Sequence, residues 1–278
     1  MRILSIAVLA AGLSSPVLAA DLDYAPLRGT QYGSAPASVE NWEGGYAGGF
    51  AGYTQTNYAF TGTTANLLYP FFRESYLETE HQVTRLLEPG AAAANAMSFG
   101  AFAGYNVQFD EIVMGVEVDY TRTRSTLYGS GTDAIGRRYA TKDGYNNDVY
   151  VAGRASAELR EFATLRGRAG YTMGAFMPFV SLGLAVGQAK VTRAASATWL
   201  GTDADPLSSP ILPDFYGAYS NSNAKTAWSL GVATGLGVDV ALSRNAFLRT
   251  EWQYVRFTDF DGVAASINTV RAGAGLKF

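Results

Sequence analysis

Hydrophobic and polar residues alternate along eight segments of the chain with a period of two, the spacing of a strand with one apolar and one polar face. The clearest segment starts at Ile112, where Val116 and Val118 share a face and Glu117 and Asp119 take the other. The predicted strands cover residues 45–58, 98–109, 112–123, 159–171, 176–191, 227–240, 246–257 and 265–278. The pattern predicts an all-β, antiparallel fold.

The connections between these strands differ in length by parity. Strands two and three, four and five, and six and seven are joined by a few residues each, whereas residues 59–97, 124–158 and 192–226 form long predicted loops. Short turns at one end and long loops at the other are typical of eight-stranded barrels that span an outer membrane, with turns in the periplasm and loops outside. No stretch approaches the roughly 18 uninterrupted apolar residues that indicate a membrane-spanning helix.

The chain ends on a strand with no turn after it. Residues 265–278 alternate and stop at Phe278, which predicts that this strand closes the barrel against the first one. Val270, Leu276 and Phe278 would form its apolar face. We interpret them as the assembly signal, with the barrel-assembly machinery as a partner.

Residues 1–20 are interpreted as an export signal. Arg2 precedes an apolar stretch at 3–13, and small residues favour cleavage after Ala19 or Ala20. The alternative is a membrane helix, but the run is shorter than the roughly 20 residues needed to span. Residues 21–41 are rich in Pro, Gly, Ser and Ala without a period, which predicts a flexible periplasmic lead-in before a barrel at 42–278.

Aromatic residues cluster near the ends of the predicted strands, as in the two interfacial girdles of a membrane barrel. The proposed girdle residues are Tyr46, Tyr105, Phe109, Tyr120, Tyr171, Trp228, Trp252 and Tyr254. The alternative interpretation is aromatic packing in the core of a soluble sheet.

The composition restricts the class of protein, its possible chemistry and its partners. Charged residues make up 16% of the chain, below the roughly 25% of soluble domains, yet the mean hydropathy is only +0.02. A membrane barrel has a mean hydropathy near zero because lipid-facing and lumen-facing residues alternate. The absence of cysteine excludes disulfides and thiolate chemistry. A net charge of −3 argues against a nucleic-acid partner.

The inward parity collects charged residues. They are Glu117, Asp119, Arg166, Arg168, Asp239, Arg249, Glu251 and Arg271, with Lys277 at the periplasmic rim, where we expect water to solvate it. An eight-stranded barrel has room inside only for side chains, so these charges must pair. We favour a salt-bridged plug; an ion path is the second interpretation. Paired carboxylates for acid–base catalysis come last, because the arginines would keep both acids ionised.

The loops carry few other candidates. His81 is the only histidine, and a haem or metal ligand role for it near Tyr76 is a minor alternative to a solvated loop residue. Residues 73–87, between Pro70 and Pro89, predict a short helix on the barrel rim, with a mobile loop as the alternative. The aspartates at 203, 205 and 214 match no calcium-loop spacing. We expect no cofactor and no metal.

Short motifs in several strands resemble the small outer-membrane β-barrels of the OmpA/OmpX type, and among them the alphaproteobacterial surface proteins and RopB-like porin-family proteins. The likeness lies in residues 49–53, 104–109, 165–171, 178–187, 249–254 and 271–278, although Trp252 and Leu276 stand where that family often has tyrosine.

The resemblance implies an outer-membrane protein of a Gram-negative cell that contributes to envelope integrity. It would contact outer-membrane lipid and lipopolysaccharide and use its loops for host or surface contact. The alternatives are a small porin or narrow channel and, third, capture of a ligand such as haem by loop aromatics. An enzyme ranks last, since no nucleophile, base and orienting group occur together. We expect a monomer.

Overall fold

The structure is a computed structural model that describes residues 40–60, 64–207 and 210–278, without the side chains of 124–128. The predicted export signal, and the predicted lead-in up to residue 39, lie outside these ranges.

Eight antiparallel strands form one closed barrel, as the sequence predicts. They are β1 Gly44–Phe60, β2 Ala92–Phe109, β3 Ile112–Ala140, β4 Tyr145–Tyr171, β5 Phe176–Asp203, β6 Phe215–Ala241, β7 Ala246–Phe257 and β8 Val263–Lys277. Each strand pairs with the next, and β8 pairs with β1 from Tyr46↔Lys277 to Phe60↔Val263. The predicted closure by the last strand is therefore confirmed.

The two faces of the strands differ as the alternation predicts. On β5, Val180, Leu182 and Leu184 are 61%, 65% and 65% exposed, whereas Phe179 and Ser181 between them are buried. Large apolar side chains exposed in a continuous band match a lipid-facing surface. The band ends on one rung of the sheet, where Arg122 pairs with Glu161 and Glu161 pairs with Gln188.

Two of the three long predicted loops are wrong. Residues 124–158 and 192–226 are mostly strand, so that only 141–144 and 204–214 connect β3 to β4 and β5 to β6. β3 to β6 have 29, 27, 28 and 27 residues, against 12 in β7. Beyond the rung of Arg122 they form a four-stranded sheet that continues the barrel wall outward. We call this part of β3 to β6 the extracellular sheet.

The first connection folds into a helical lobe on the inner face of the extracellular sheet. It contains α1 (Ala65–Phe72), α2 (Tyr76–His81) and a 3-10 turn (Val83–Arg85). Leu68, Phe72 and Leu77 are buried against β4 and β5, where Val151 and Ala197 meet them. The described helices are too short to cross a membrane.

The single helix predicted at 73–87 is wrong in its bounds. Pro70 lies inside α1, which ends at Phe72 with Arg73 as its C-cap. A second helix then begins after Ser75, whose side chain accepts a hydrogen bond from the Glu78 amide at 3.3 Å.

Candidate functional site: a charged lumen

All eight charged residues assigned to the lumen lie in one buried network. None of their side chains is more than 2% exposed. Glu117 and Arg166 occupy directly opposite positions on β3 and β4, which brings the first acid and the first arginine together across the ladder. Asp119 and Arg168 also lie on β3 and β4, and the other four members come from β6, β7 and β8.

Arg166 lies at the centre of this network. Its guanidinium contacts Glu117 at 2.7 Å and Asp119 at 2.8 Å, and it also pairs with Glu251. Ser181 accepts a further hydrogen bond from Arg166 Nη1 at 2.9 Å. One arginine therefore serves three carboxylates from two strands.

The other three arginines complete the neutralisation. Arg249 joins Glu117 at 2.6 Å and Asp239 at 2.7 Å, and Arg168 reaches the same Asp239 at 2.7 Å. Arg271 binds Glu251 at 2.8 Å and Asp119 at 3.3 Å. Four carboxylates face four guanidinium groups, so the network has no net charge.

Tyr46 belongs to this network, and its assignment to the aromatic girdle is wrong. Its side chain is 3% exposed and points into the lumen. The Tyr46 hydroxyl donates to Glu117 Oε2 at 2.7 Å and accepts from Arg168 Nη1 at 3.0 Å. The sequence signal that could have placed Tyr46 in the lumen is that it shares its strand face with Phe50, which also points inward.

Aromatic rings cover the guanidinium groups. Arg168 lies 4.1 Å from the ring centre of Phe179, Arg249 lies 4.2 Å from that of Phe102, and Arg271 lies 4.3 Å from that of Phe50. Stacking of this kind suits the planar, weakly hydrated guanidinium and fills space that water would otherwise occupy.

The lumen is also closed below the charges. Lys277 is 7% exposed and pairs with Glu40 at 2.9 Å, so the expectation that water solvates it at the rim is wrong. Its ammonium lies 4.3 Å from the ring centre of Trp42, which packs against Phe247. Residues just before β1 therefore seal the periplasmic end.

Above the charges lie a polar layer and an apolar layer. Thr54 bonds Ser98 at 2.8 Å and Thr269 at 3.0 Å. Beyond them, Phe162 and Phe257 pack in a buried cluster that continues to Phe260. Side chains thus fill the lumen from end to end in the described part of the chain.

The remaining girdle residues lie on the outside. Tyr105, Phe109, Tyr120, Tyr171, Trp228 and Trp252 are all exposed, and Tyr254 is half-buried beside Trp252. The three residues of the assumed assembly signal share this outer face: Val270, Leu276 and Phe278 are 63%, 56% and 76% exposed. The Phe278 amide donates to the Gly45 carbonyl at 2.9 Å, which fixes the last residue to the first strand.

The loop candidates do not form a site. His81 stacks on Tyr139 with ring centres 4.3 Å apart, and Tyr76 is exposed. Asp203 accepts backbone hydrogen bonds from Asp205 and Leu212, which braces the turn between β5 and β6. In the described ranges no three His, Asp or Glu side chains come together as a metal site.

A closed antiparallel barrel with an apolar outer band and a polar, filled lumen defines an integral β-barrel protein of the outer membrane. Comparison with known families agrees. Residues 5–278 match the outer membrane protein beta-barrel domain, and the chain belongs to that family.

Related proteins carry names of the same kind. The chain is 28% identical to a 31 kDa outer-membrane immunogenic protein of Brucella melitensis over the whole of both chains. It is 27% identical to a 22 kDa outer membrane protein of Rhizobium leguminosarum bv. viciae, over 68% of this chain and 75% of that one. A structural comparison with OprG of Pseudomonas aeruginosa gives 14% identity and a TM-score of 0.34, covering 85% and 96% of the two chains. The protein is located in the Gram-negative outer membrane.

Proposed function

We propose that the protein is a closed, non-enzymatic barrel that contributes to envelope integrity and carries its extracellular sheet and helical lobe as a surface for contact. The observation that supports this is the neutral network of four carboxylates and four arginines across the lumen. Buried charges this well paired hold neighbouring strands together, and an ion that entered would have to displace them.

A channel would need a continuous water path. Three successive layers oppose one: the aromatic floor around Trp42, the charges around Arg166, and the apolar packing around Phe257. Opening a path would require all three to rearrange, and a change in the charge layer alone would not suffice. We therefore place the narrow-channel alternative second.

Conductance of the refolded mature chain in a planar bilayer tests this proposal. We expect no stable channels from the native sequence. The variant with Arg166→Ala and Arg168→Ala leaves Glu117 and Asp119 short of partners, so it should lose several kcal/mol of unfolding free energy and still conduct poorly. Large, stable native channels, or a double variant that keeps its stability and changes ion selectivity, would favour the porin function.

A further inference from the structure

The outer face of the extracellular sheet carries no packed element in the described part of the chain, whereas its inner face is covered by the helical lobe. The outward positions align in rungs across β3 to β6. One rung contains Ala134, Ala152, Ser196 and Ser220, and the next toward the membrane contains Thr132, Arg154, Ala194 and Ser222. Short side chains on neighbouring rungs leave a groove of about 840 Å³ along this face.

The groove has aromatic and charged residues at its outer end. Tyr150 and Tyr216 are 51% and 68% exposed and line a second groove of about 390 Å³ on the adjoining rungs. Arg138 binds Asp148 there through two hydrogen bonds, of 2.6 and 2.5 Å. The Arg138 hydrogen bonds lower the pKa of Asp148 below its ordinary value. Exposed tyrosine rings beside hydroxyl and charged groups suit a saccharide, whose CH faces stack on rings and whose hydroxyls need donors and acceptors.

The location of this face limits what can reach it. It continues the lipid-facing wall of β5 directly, from Val186 at the edge of the apolar band to Lys190 and Ser196. From Arg122 the strands rise roughly 45 Å, at about 3.3 Å per residue and a tilt near 40°. The layer beside a barrel wall at this height is the carbohydrate of neighbouring lipopolysaccharide.

The charge of the face fits an anionic partner. Four basic side chains point outward by register on β3 to β5 at or beyond the membrane boundary, namely Arg122, Arg138, Arg154 and Lys190, and Arg160 is a fifth, exposed where the register of β4 shifts. Three acidic ones share that face, namely Asp148, Glu158 and Glu161. With the side chains of 124–128 left aside, this face carries +2, although the whole chain carries −3.

We infer that the grooved outer face of the extracellular sheet binds the anionic oligosaccharide of lipopolysaccharide in the protein's own outer leaflet. This deepens the proposed surface role and rests on it. Tyr150 and Tyr216 would stack on sugar rings, Ser196 and Ser220 would bond hydroxyls, and Arg154, held on the groove floor by Ser130 at 2.9 Å, would meet a phosphate or carboxylate.

The test is a calorimetric titration, in which core oligosaccharide released from lipopolysaccharide is added to the refolded full chain and the heat of binding is measured. We expect saturable binding that Ser196→Trp weakens about tenfold or more by filling the groove. Ala59→Trp is the matched control, since Ala59 is an exposed small residue on the outer face of β1, opposite β5 in the barrel, and it should bind as the native chain does. Arg154→Glu provides the same test by reversing charge, should the tryptophan variant fail to fold.

Several results would overturn the inference. They are absence of binding to the native chain, equal binding by Ser196→Trp, or an equal loss in Ala59→Trp. Groove-dependent binding of heparin without binding of core oligosaccharide would assign the face to a host glycan. A dimer of the native chain that Ser196→Trp dissociates would assign it to a second copy. Channel activity is independent of all these outcomes, so failure here and failure of the closed-barrel proposal can be told apart.

Discussion

At the residue scale, the charged network in the lumen consists of side chains that each bind several partners. Glu117 accepts from three arginines and from the Tyr46 hydroxyl, and all of them are buried. Strand parity alone identified the eight charged members because β3, β4 and β7 alternate cleanly. It missed Tyr46 because the outward positions of β1 near it are Ala47, Gly49 and Ala51, which give no apolar stripe to mark the lipid face.

Removing only the Tyr46 hydroxyl tests this arrangement. Tyr46→Phe keeps the ring but leaves Glu117 without one donor and Arg168 without one acceptor. We expect it to lower the free energy of unfolding by about 1 to 3 kcal/mol, the desolvation penalty of unsatisfied buried groups. Urea titration in liposomes measures this. Tyr105→Phe on the lipid face should change little, and equal losses in the two variants would contradict the bridging role.

At the scale of elements, the strands are predictable inside the bilayer and not above it. In the membrane the outward positions of β5 are Val and Leu, whereas beyond Lys190 they are Thr192, Ala194 and Ser196. Water on the outer face removes the selection for large apolar residues, so the alternation that marks a strand disappears. The register also shifts between Leu159 and Glu161 on β4, which exchanges the parity of the two halves.

Substitution on the lipid face should be more harmful than on the extracellular sheet. Val116 is 59% exposed in the apolar band, and an arginine there should destabilise the barrel by about 2 to 4 kcal/mol. Ala218→Arg, on the outer face of β6 above the membrane, should be close to neutral. Thr202, which the sequence placed in a loop, is a poorer control because its hydroxyl bonds the Asn146 carbonyl. Equal shifts in urea unfolding would mean that the parity of β3 is wrong.

Trypsin applied to intact cells distinguishes strand from loop. Arg193 lies in the segment that the sequence assigned to a loop, and Lys190 lies just before it, but β4 and β6 pair with both residues. We expect no cleavage at either residue, as mapped by mass spectrometry of the released peptides. Leu207→Lys is the positive control, because this position is 97% exposed in the turn between β5 and β6 and should be cut. Rapid cleavage at Arg193 in the native chain would show that this segment is a loop and not a strand.

At the scale of the whole molecule, closure depends on the last residue. The Phe278 amide bonds the Gly45 carbonyl and its ring faces outward. The position of β8 beside β1 was predictable because, once each predicted strand pairs with the next, the free edge of β1 is the edge left for β8.

Phe278→Ser should therefore reduce the amount of folded, heat-modifiable protein in outer membranes, by weakening the apolar end of the closing strand. Tyr171→Ser is the comparison, since Tyr171 is also an exposed aromatic at the periplasmic end but lies within the chain. It should have a smaller effect. Similar yields from both variants would remove the special role of the terminus.

The lumen charges also link complete ion pairing to closure of the barrel. Arg271 on β8 finds Asp119 on β3 only when the sheet has curled fully, and Arg249 on β7 finds Glu117 on β3 under the same condition. In a partly curled sheet in lipid, Arg249 would keep Asp239 and Arg271 would keep Glu251 on the neighbouring strand, but each would lack its second carboxylate, which is unfavourable for a guanidinium in the membrane. The bilayer would thus reject incomplete intermediates. Insertion would wait for the slowest contact, that of two strands at opposite ends of the chain.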